Sequence, residues 1–205
     1  MPAPRASPLL PAVTLLIAGY AALEAAARTL SGRAFTYPLD DAYIHLAVAR
    51  TLAEQGTWGV NPGEFASASS SPLWTLLLTA GFAIFGPEPL WALGLNLVAG
   101  LGVLAVAARW LRAAGTPPVA IALGLLALVL VVPLPFLVGI GMEHGLQLLL
   151  ALWLVTDRDA PAWRAGVLAA ALTLTRYESF VLRWWRRVNG AWGWPGPWSA
   201  RPCSR

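Results

Sequence analysis

The sequence contains no lysine, a single cysteine, two histidines and few charges of either sign. All 14 basic residues are arginine; set against 10 acids they give a net charge of +4, and charged residues make up only 12% of the 205-residue chain. Cys203 therefore has no partner for an intramolecular disulfide. Two histidines without a cysteine cluster exclude a zinc site of the usual spacing. Also missing are a glycine-rich phosphate loop, an H-E-x-x-H helix, a serine nucleophile elbow and the run of intramembrane acids that a proton relay needs. Arginines such as Arg50, Arg109 and Arg176 are scattered between apolar stretches. That scatter suits anchoring at a membrane surface and gives no nucleic-acid-binding face.

What the chain has in excess is apolar surface: 58% of its residues are hydrophobic and its mean hydropathy is +0.63. A water-soluble globule carries about a quarter charged residues, so we expect an all-α, polytopic membrane helix bundle over residues 1–182. The run 8–30, behind Arg5, is long enough to cross about 30 Å of hydrocarbon. A secretory signal cleaved near Ala25-Ala26-Ala27 has the same signature, but the later spans make a retained anchor with its N-terminus inside the more natural reading. Further spans are expected at 90–111, 118–138, 143–155 and 163–182. Residues 31–89 then form an external loop carrying surface helices.

Within that loop, 41–55 reads as an amphipathic helix lying along the membrane. Asp40 or Asp41 can cap its start, Ile44, Val48 and Leu52 recur at helical spacing, and Gly56 stands where a C-terminal cap belongs. The apolar run 72–85 is short for a span and fits an interfacial or re-entrant helix ending before Gly86-Pro87. If it does not cross, Arg109, Arg112, Asp157, Arg158, Asp159 and Arg164 fall inside, while Asp40-Asp41, Glu143-His144 and Arg176-Glu178 share the outer face. If it crosses, the sites split and the Arg109-Arg112 pair moves outside, against the positive-inside tendency; we prefer the first topology. The tail 183–205, with five Trp and five Arg broken by Pro and Gly, reads either as an interfacial anchor or as out-of-frame translation of a GC-rich gene.

Three polar sites can carry chemistry. Asp40 and Asp41 are adjacent carboxylates at a helix start, able to act as general base or divalent-metal ligand. The plainer reading makes both helix caps, and two adjacent Asp do not make a coordination sphere. His45 lies one turn after Asp41 on the same face. Glu143-His144 sits between two apolar runs, where an ionisable pair facing lipid costs several kcal/mol, so it should face a cavity or headgroups; the alternative is an acid capping a helix start. An Arg176 fork suits a lipid phosphate, against a simple Arg176–Glu178 pair snorkelling at the interface. Glu24 should reach for the interface.

The run DDAYIHLAVARTLAEQGTWGVNPGEFASASSSPLWTLLLTAGFAIFG, residues 40–86, resembles the first external loop of GT-C fold membrane glycosyltransferases, especially bacterial protein mannosyltransferases, lipid A aminoarabinose transferases and arabinofuranosyltransferases. The pattern is an acidic pair after the first span, a surface helix, an N-P-G-E turn and a Ser-Pro-Leu-Trp helix start. GMEHGLQLL (141–149) and LTRYES (174–179) look like two later patterns of that family, the second usually reading T-R-P-E-G; here Tyr177 and Ser179 depart from it. The resemblance implies a multi-pass protein of the bacterial inner (plasma) membrane with its active loop outside. It implies inverting transfer of a sugar from a polyprenyl-phosphate donor, bound from among the membrane lipids, to a lipid, glycan or protein acceptor. Asp40 would be the base or metal-linked residue, with Asp41 supporting it. His45, Glu143, His144, Arg176 and Glu178 would line the substrate. Such transferases continue for several more spans, so a truncated form, inactive alone, is expected. The competing expectation is a non-catalytic membrane accessory or lipid-phosphate binding protein using Arg176; a transporter lacks the polar stripe it would need.

Overall fold

The computed structural model describes residues 7–157 and 160–179. Arg5, Arg158, Asp159 and the tail 183–205 lie outside the described residues, as does the end of the run 163–182. Within them the chain is all-helical: α1 (Leu10–Ser31), α2 (Asp40–Gln55), α3 (Pro72–Phe85), α4 (Leu90–Ala113), α5 (Pro118–Val131), α6 (Leu134–Gly139), α7 (His144–Thr156), α8 (Ala162–Thr175) and a closing 3-10 turn, Tyr177–Ser179. Two of these, α1 and α4, are long and apolar enough to cross a membrane. At 1.5 Å per residue their 22 and 24 residues reach about 33 and 36 Å. Helix α1 buries only Ala12 and Leu16 and leaves Leu10, Ile17, Leu23 and Leu30 exposed. An apolar helix so little covered by its own protein needs an apolar surrounding.

Proline divides the run expected as one span over 118–138. Pro133 has no N–H to continue the α5 ladder, so α5 ends at Val131 and α6 starts afresh at Leu134, its Phe136 and Leu137 N–H groups donating to the Pro133 carbonyl. Helix α8 likewise stops at Thr175, because Arg176 is extended with φ −156° and ψ 128°. The surface helix α2 runs one residue further back than expected, with Leu39 at its N-cap position and no side-chain capping bond from either aspartate. Asp40 and Asp41 instead occupy the first turn, where acids stabilise the helix through its dipole by about 0.3–1 kcal/mol. Gly56 terminates α2 in the left-handed conformation, its N–H donating to the Leu52 carbonyl.

Small residues set how closely these helices approach. Helices α4 and α7 run parallel: a Cβ added to Gly145 would lie 2.9 Å from Asn96 Oδ1, and one added to Gly102 would lie 2.9 Å from Leu149 Cδ2. Helix α8 returns antiparallel to α7, Leu168, Ala169 and Leu172 packing on Leu150 and Leu154. One core joins α1, α4, α5 and α6 through Leu16, Val103, Leu104, Leu125 and Leu134. A second seats α2 and α3 against the starts of α4 and α7 through Leu46, Trp74, Leu78, Ala92 and Met142. Helix α3 begins beside α2, where Thr75 reaches His45, and ends with Phe85 stacked on Trp91 at the start of α4, ring centroids 4.7 Å apart. Both ends of α3 therefore lie at the same end of the bundle.

Tyr37 fastens this end. Its hydroxyl donates to the Pro89 carbonyl at 2.7 Å and accepts from the Leu93 N–H at 3.0 Å, while its own N–H donates to the Tyr43 hydroxyl at 2.9 Å. The ring covers Gly141, whose φ is +73° and whose Cβ, if present, would fall 2.5 Å from Tyr37 Cδ1. Gly141→Ala therefore meets both a left-handed backbone and a buried aromatic ring, and should lower stability by at least about 2 kcal/mol. Gly32→Ala, left-handed at φ +65° but with nothing within 4 Å, should cost only about 1 kcal/mol. Thermal unfolding of the two variants in detergent checks the ordering; equal effects would mean that Tyr37 yields freely.

Candidate functional site

At the end of the bundle where α7 begins, Glu143 has no exposure at all. It stands just before α7 in the link held by Gly141, and its side chain makes no capping bond to that helix. It turns instead to two other elements. Arg176 Nη1, past the end of α8, donates to Glu143 Oε1 at 3.1 Å, and Glu143 Oε2 faces His45 Nε2 on α2 at 3.6 Å. The first is a charge-assisted hydrogen bond; the second is too long for one. An unpaired carboxylate this deeply buried would cost several kcal/mol, so Arg176 is what makes the position of Glu143 tenable.

His45 is itself only 2% exposed. Its Nδ1 lies 3.1 Å from Ser69 Oγ and 3.3 Å from Thr75 Oγ1, and those two hydroxyls are 2.7 Å apart. The Ser71 N–H donates to Ser69 Oγ, so the serine run preceding α3 is folded around the imidazole. In the tautomer in which a hydroxyl donates to Nδ1, the ring proton is on Nε2 and faces the Glu143 carboxylate across 3.6 Å. Burial lowers the His45 pKa below its ordinary 6.5, outweighing the opposing pull of Glu143 and Asp41; Arg176 and His144 act in the same direction as burial. The imidazole is accordingly neutral at pH 7.

Arg176 is gripped twice, since its Nε also donates to Glu178 Oε1 at 2.7 Å. Those carboxylates, Glu178 first, raise its pKa above the ordinary arginine value. Glu178 is exposed, and its pKa is lowered by the backbone N–H at its own position and then by Arg176. Gln147, one turn into α7 from Glu143, donates to Ser179 Oγ at 3.1 Å and ties the closing turn to the same helix. His144 stands at the edge, its Nδ1 3.9 Å from Glu143 Oε1. Asp40 and Asp41 are exposed, Asp41 one turn before His45 on α2.

Of the residues singled out in the sequence, His45, Glu143, Arg176 and Glu178 thus form one connected chain across α2, α7 and the end of α8. His144 adjoins it and the aspartates open the helix that His45 belongs to. Glu143 does not cap α7, and the Arg176–Glu178 pair is real but shares its guanidinium with Glu143. Glu24, expected to reach for the interface, accepts from Arg28 Nε at 2.6 Å one helical turn away. Ser69, Thr75, Gln147, Ser179, Tyr37 and Gly141 were not singled out as site residues, although all but Tyr37 fall within the runs 40–86, 141–149 and 174–179 that carry the resemblance. Among the described residues no three His, Cys, Asp or Glu side chains gather so as to hold a metal ion. No family model matches the chain, and neither the curated proteins nor the solved structures contain a match to it.

The His45 shift has a sign that can be measured. The folded state binds fewer protons than the unfolded state between the folded pKa and 6.5, so its contribution to stability is complete above pH 6.5 and is lost as pH falls through the folded value. The melting temperature of the wild type in detergent should therefore fall with acidification below about pH 6.5, and His45→Asn should flatten that slope. An identical slope in the variant would place the titrating group elsewhere.

Proposed function

We propose that this chain is a polytopic membrane glycosyltransferase module of GT-C type, taking a sugar from a polyprenyl-phosphate donor at the outer membrane face. The observation that carries the reading is the placement of Asp40 and Asp41, two exposed carboxylates opening the helix that carries His45, at the end of an apolar bundle where the buried Glu143 meets the half-buried Arg176. The loop 40–86 carries the most specific part of the resemblance, with 141–149 and 174–179 as later patterns.

The multi-pass reading is supported by the surface. Beyond α1 and α4, α5 presents Val119, Leu123, Leu130 and Val131 outward, α6 Phe136, α7 Val155 and α8 Val167. Trp110 and Trp163 are exposed at the end opposite the site, near Arg109, Arg112 and Arg164. Exposed Trp beside Arg suits a membrane–water interface at that end; Arg28, Arg33, Arg50 and Arg176 stand at the site end, so the outward orientation of the site rests on the resemblance.

In the proposed reaction Asp40 accepts the proton of an acceptor hydroxyl as that oxygen bonds to the anomeric carbon from the face opposite the leaving group. The bond from that carbon to the phosphate oxygen breaks, the polyprenyl phosphate departs as an anion, and configuration inverts. Asp41 supports the first turn. Arg176 and Glu178, with His144 at the edge, form the wall on the substrate side, and the buried Glu143 stands behind them. The alternative, an accessory protein that binds lipid phosphate through Arg176, is less favoured because two donors of that guanidinium are already committed to carboxylates.

The test is transfer from isoprenoid-linked sugars in membranes carrying the full chain. Asp40→Asn should lower the rate by about 100-fold or more with unchanged insertion and accumulation; full activity in the variant would remove Asp40 from the reaction. Saturable binding of polyprenyl phosphate without turnover, lost in Arg176→Ala, would establish the accessory role instead.

A further inference from the structure

Two facts about the buried chain are not accounted for by substrate contact. Glu143 and His45 are both shut off from solvent, so neither meets a substrate directly, yet each is an ionisable group in an interior that includes the apolar Leu46, Trp74, Leu78 and Met142. Moreover, the chain they form crosses between elements far apart in sequence. His45 belongs to the surface helix, Glu143 precedes α7, and Arg176 follows α8.

We propose that Glu143 is a positioning residue: its carboxylate, anchored by Arg176, holds His45 and with it the first turn of α2, which carries Asp40 and Asp41. The imidazole is fixed on both sides, with Ser69 and Thr75 hydroxyls at Nδ1 and the Glu143 carboxylate opposite Nε2. A ring so held has one orientation. Because α2 is a continuous helix, the orientation of His45 sets that of Asp41 four residues earlier on the same face, and of Asp40 beside it. The buried apolar side chains of α2 are Ala42, Leu46, Val48 and Ala49, and of these Ala42, Leu46 and Ala49 dock in the core with Trp74 and Leu78. The two alanines offer no large knob, so Leu46 is the one large α2 side chain in that core and the polar tie adds a second fixed point nearer the first turn. Arg176 completes the device by neutralising the carboxylate from the far side.

The positioning claim concerns where α2 sits; it rests on the transfer reading only for what the positioned aspartates do. Amide hydrogen exchange of the full chain in lipid nanodiscs separates the two. In Glu143→Gln and in His45→Asn the amides of the first half of α2 should exchange about tenfold faster, with α1 and α4 unchanged. The double variant should exchange no faster than the faster single, because both remove one tie. Should Glu143→Gln loosen every helix, His45→Asn, which leaves the Glu143–Arg176 pair intact, decides alone. Unchanged α2 exchange in His45→Asn, or effects that multiply in the double variant, would overturn the proposal. In the sugar-transfer assay Glu143→Gln should lower kcat while leaving the donor KM unaltered. If the wild type transfers no sugar, it is the enzymatic reading that fails, and the exchange result still decides whether Glu143 positions α2.

Discussion

A carboxylate withdrawn entirely from water has to be matched by a cation or it pulls its surroundings apart, and the organisation of one end of this bundle follows from how Glu143 is matched. Arg176 can reach it only if α8 stops short, and α8 does stop, at Thr175, with the arginine in extended backbone. Glu143 can present its carboxylate to Arg176 and His45 only if the chain turns sharply before α7, which the left-handed Gly141 beneath Tyr37 allows. His45 can lie opposite it only if α2 docks on the bundle, which requires the serine run and α3 to wrap the imidazole. Each of these local departures from regular helix makes sense as part of one arrangement.

The same end is where the irregular backbone collects. Tyr37 joins the loop after α1 to the first turn of α4, and its burial pushes its phenol above the ordinary pKa of 10.0, so that it keeps the proton it donates to Pro89. The rest of the bundle is held by close-packed apolar side chains, with glycines at 100, 102 and 145 admitting neighbours that a methyl group would crowd. Such packing tolerates little movement. The two regimes have different consequences: apolar packing fixes the helices relative to one another, and the polar chain fixes the surface helix relative to them.

Much of this was legible in the sequence, and the reasons differ by element. Long apolar runs marked α1 and α4, because length and composition suffice for that inference. The end of α2 at Gly56 was legible from glycine alone. Its buried face was harder: the large residues Ile44, Val48 and Leu52 suggested a stripe, whereas Ala42, His45, Leu46, Val48, Ala49 and Thr51 are buried and Ile44 and Leu52 only half so. Small residues carry a weak hydrophobic signal, yet they define the docking face when a helix approaches closely. The break at Pro133 was written in the sequence, but the apolar character on either side masked it. Glu143, Arg176 and His45 each stood out as polar residues in costly places. That they meet is a property of the tertiary fold, since 98 and 33 positions separate the first two contacts along the chain, His45 to Glu143 and Glu143 to Arg176. No periodicity spans such distances.

This end of the bundle depends most on the pair that makes the burial of Glu143 tolerable. Its most direct test is a double-mutant cycle on thermal stability with Glu143→Gln, Arg176→Gln and the two combined. If the pair holds this end of the bundle together, Arg176→Gln should cost about 3 kcal/mol or more by leaving a buried charge unmatched, and adding Glu143→Gln should recover a large part of that loss. If the two effects simply add, or if Arg176→Gln costs less than about 0.5 kcal/mol as an exposed ion pair would, Glu143 is not held by Arg176 and the organisation described here is wrong.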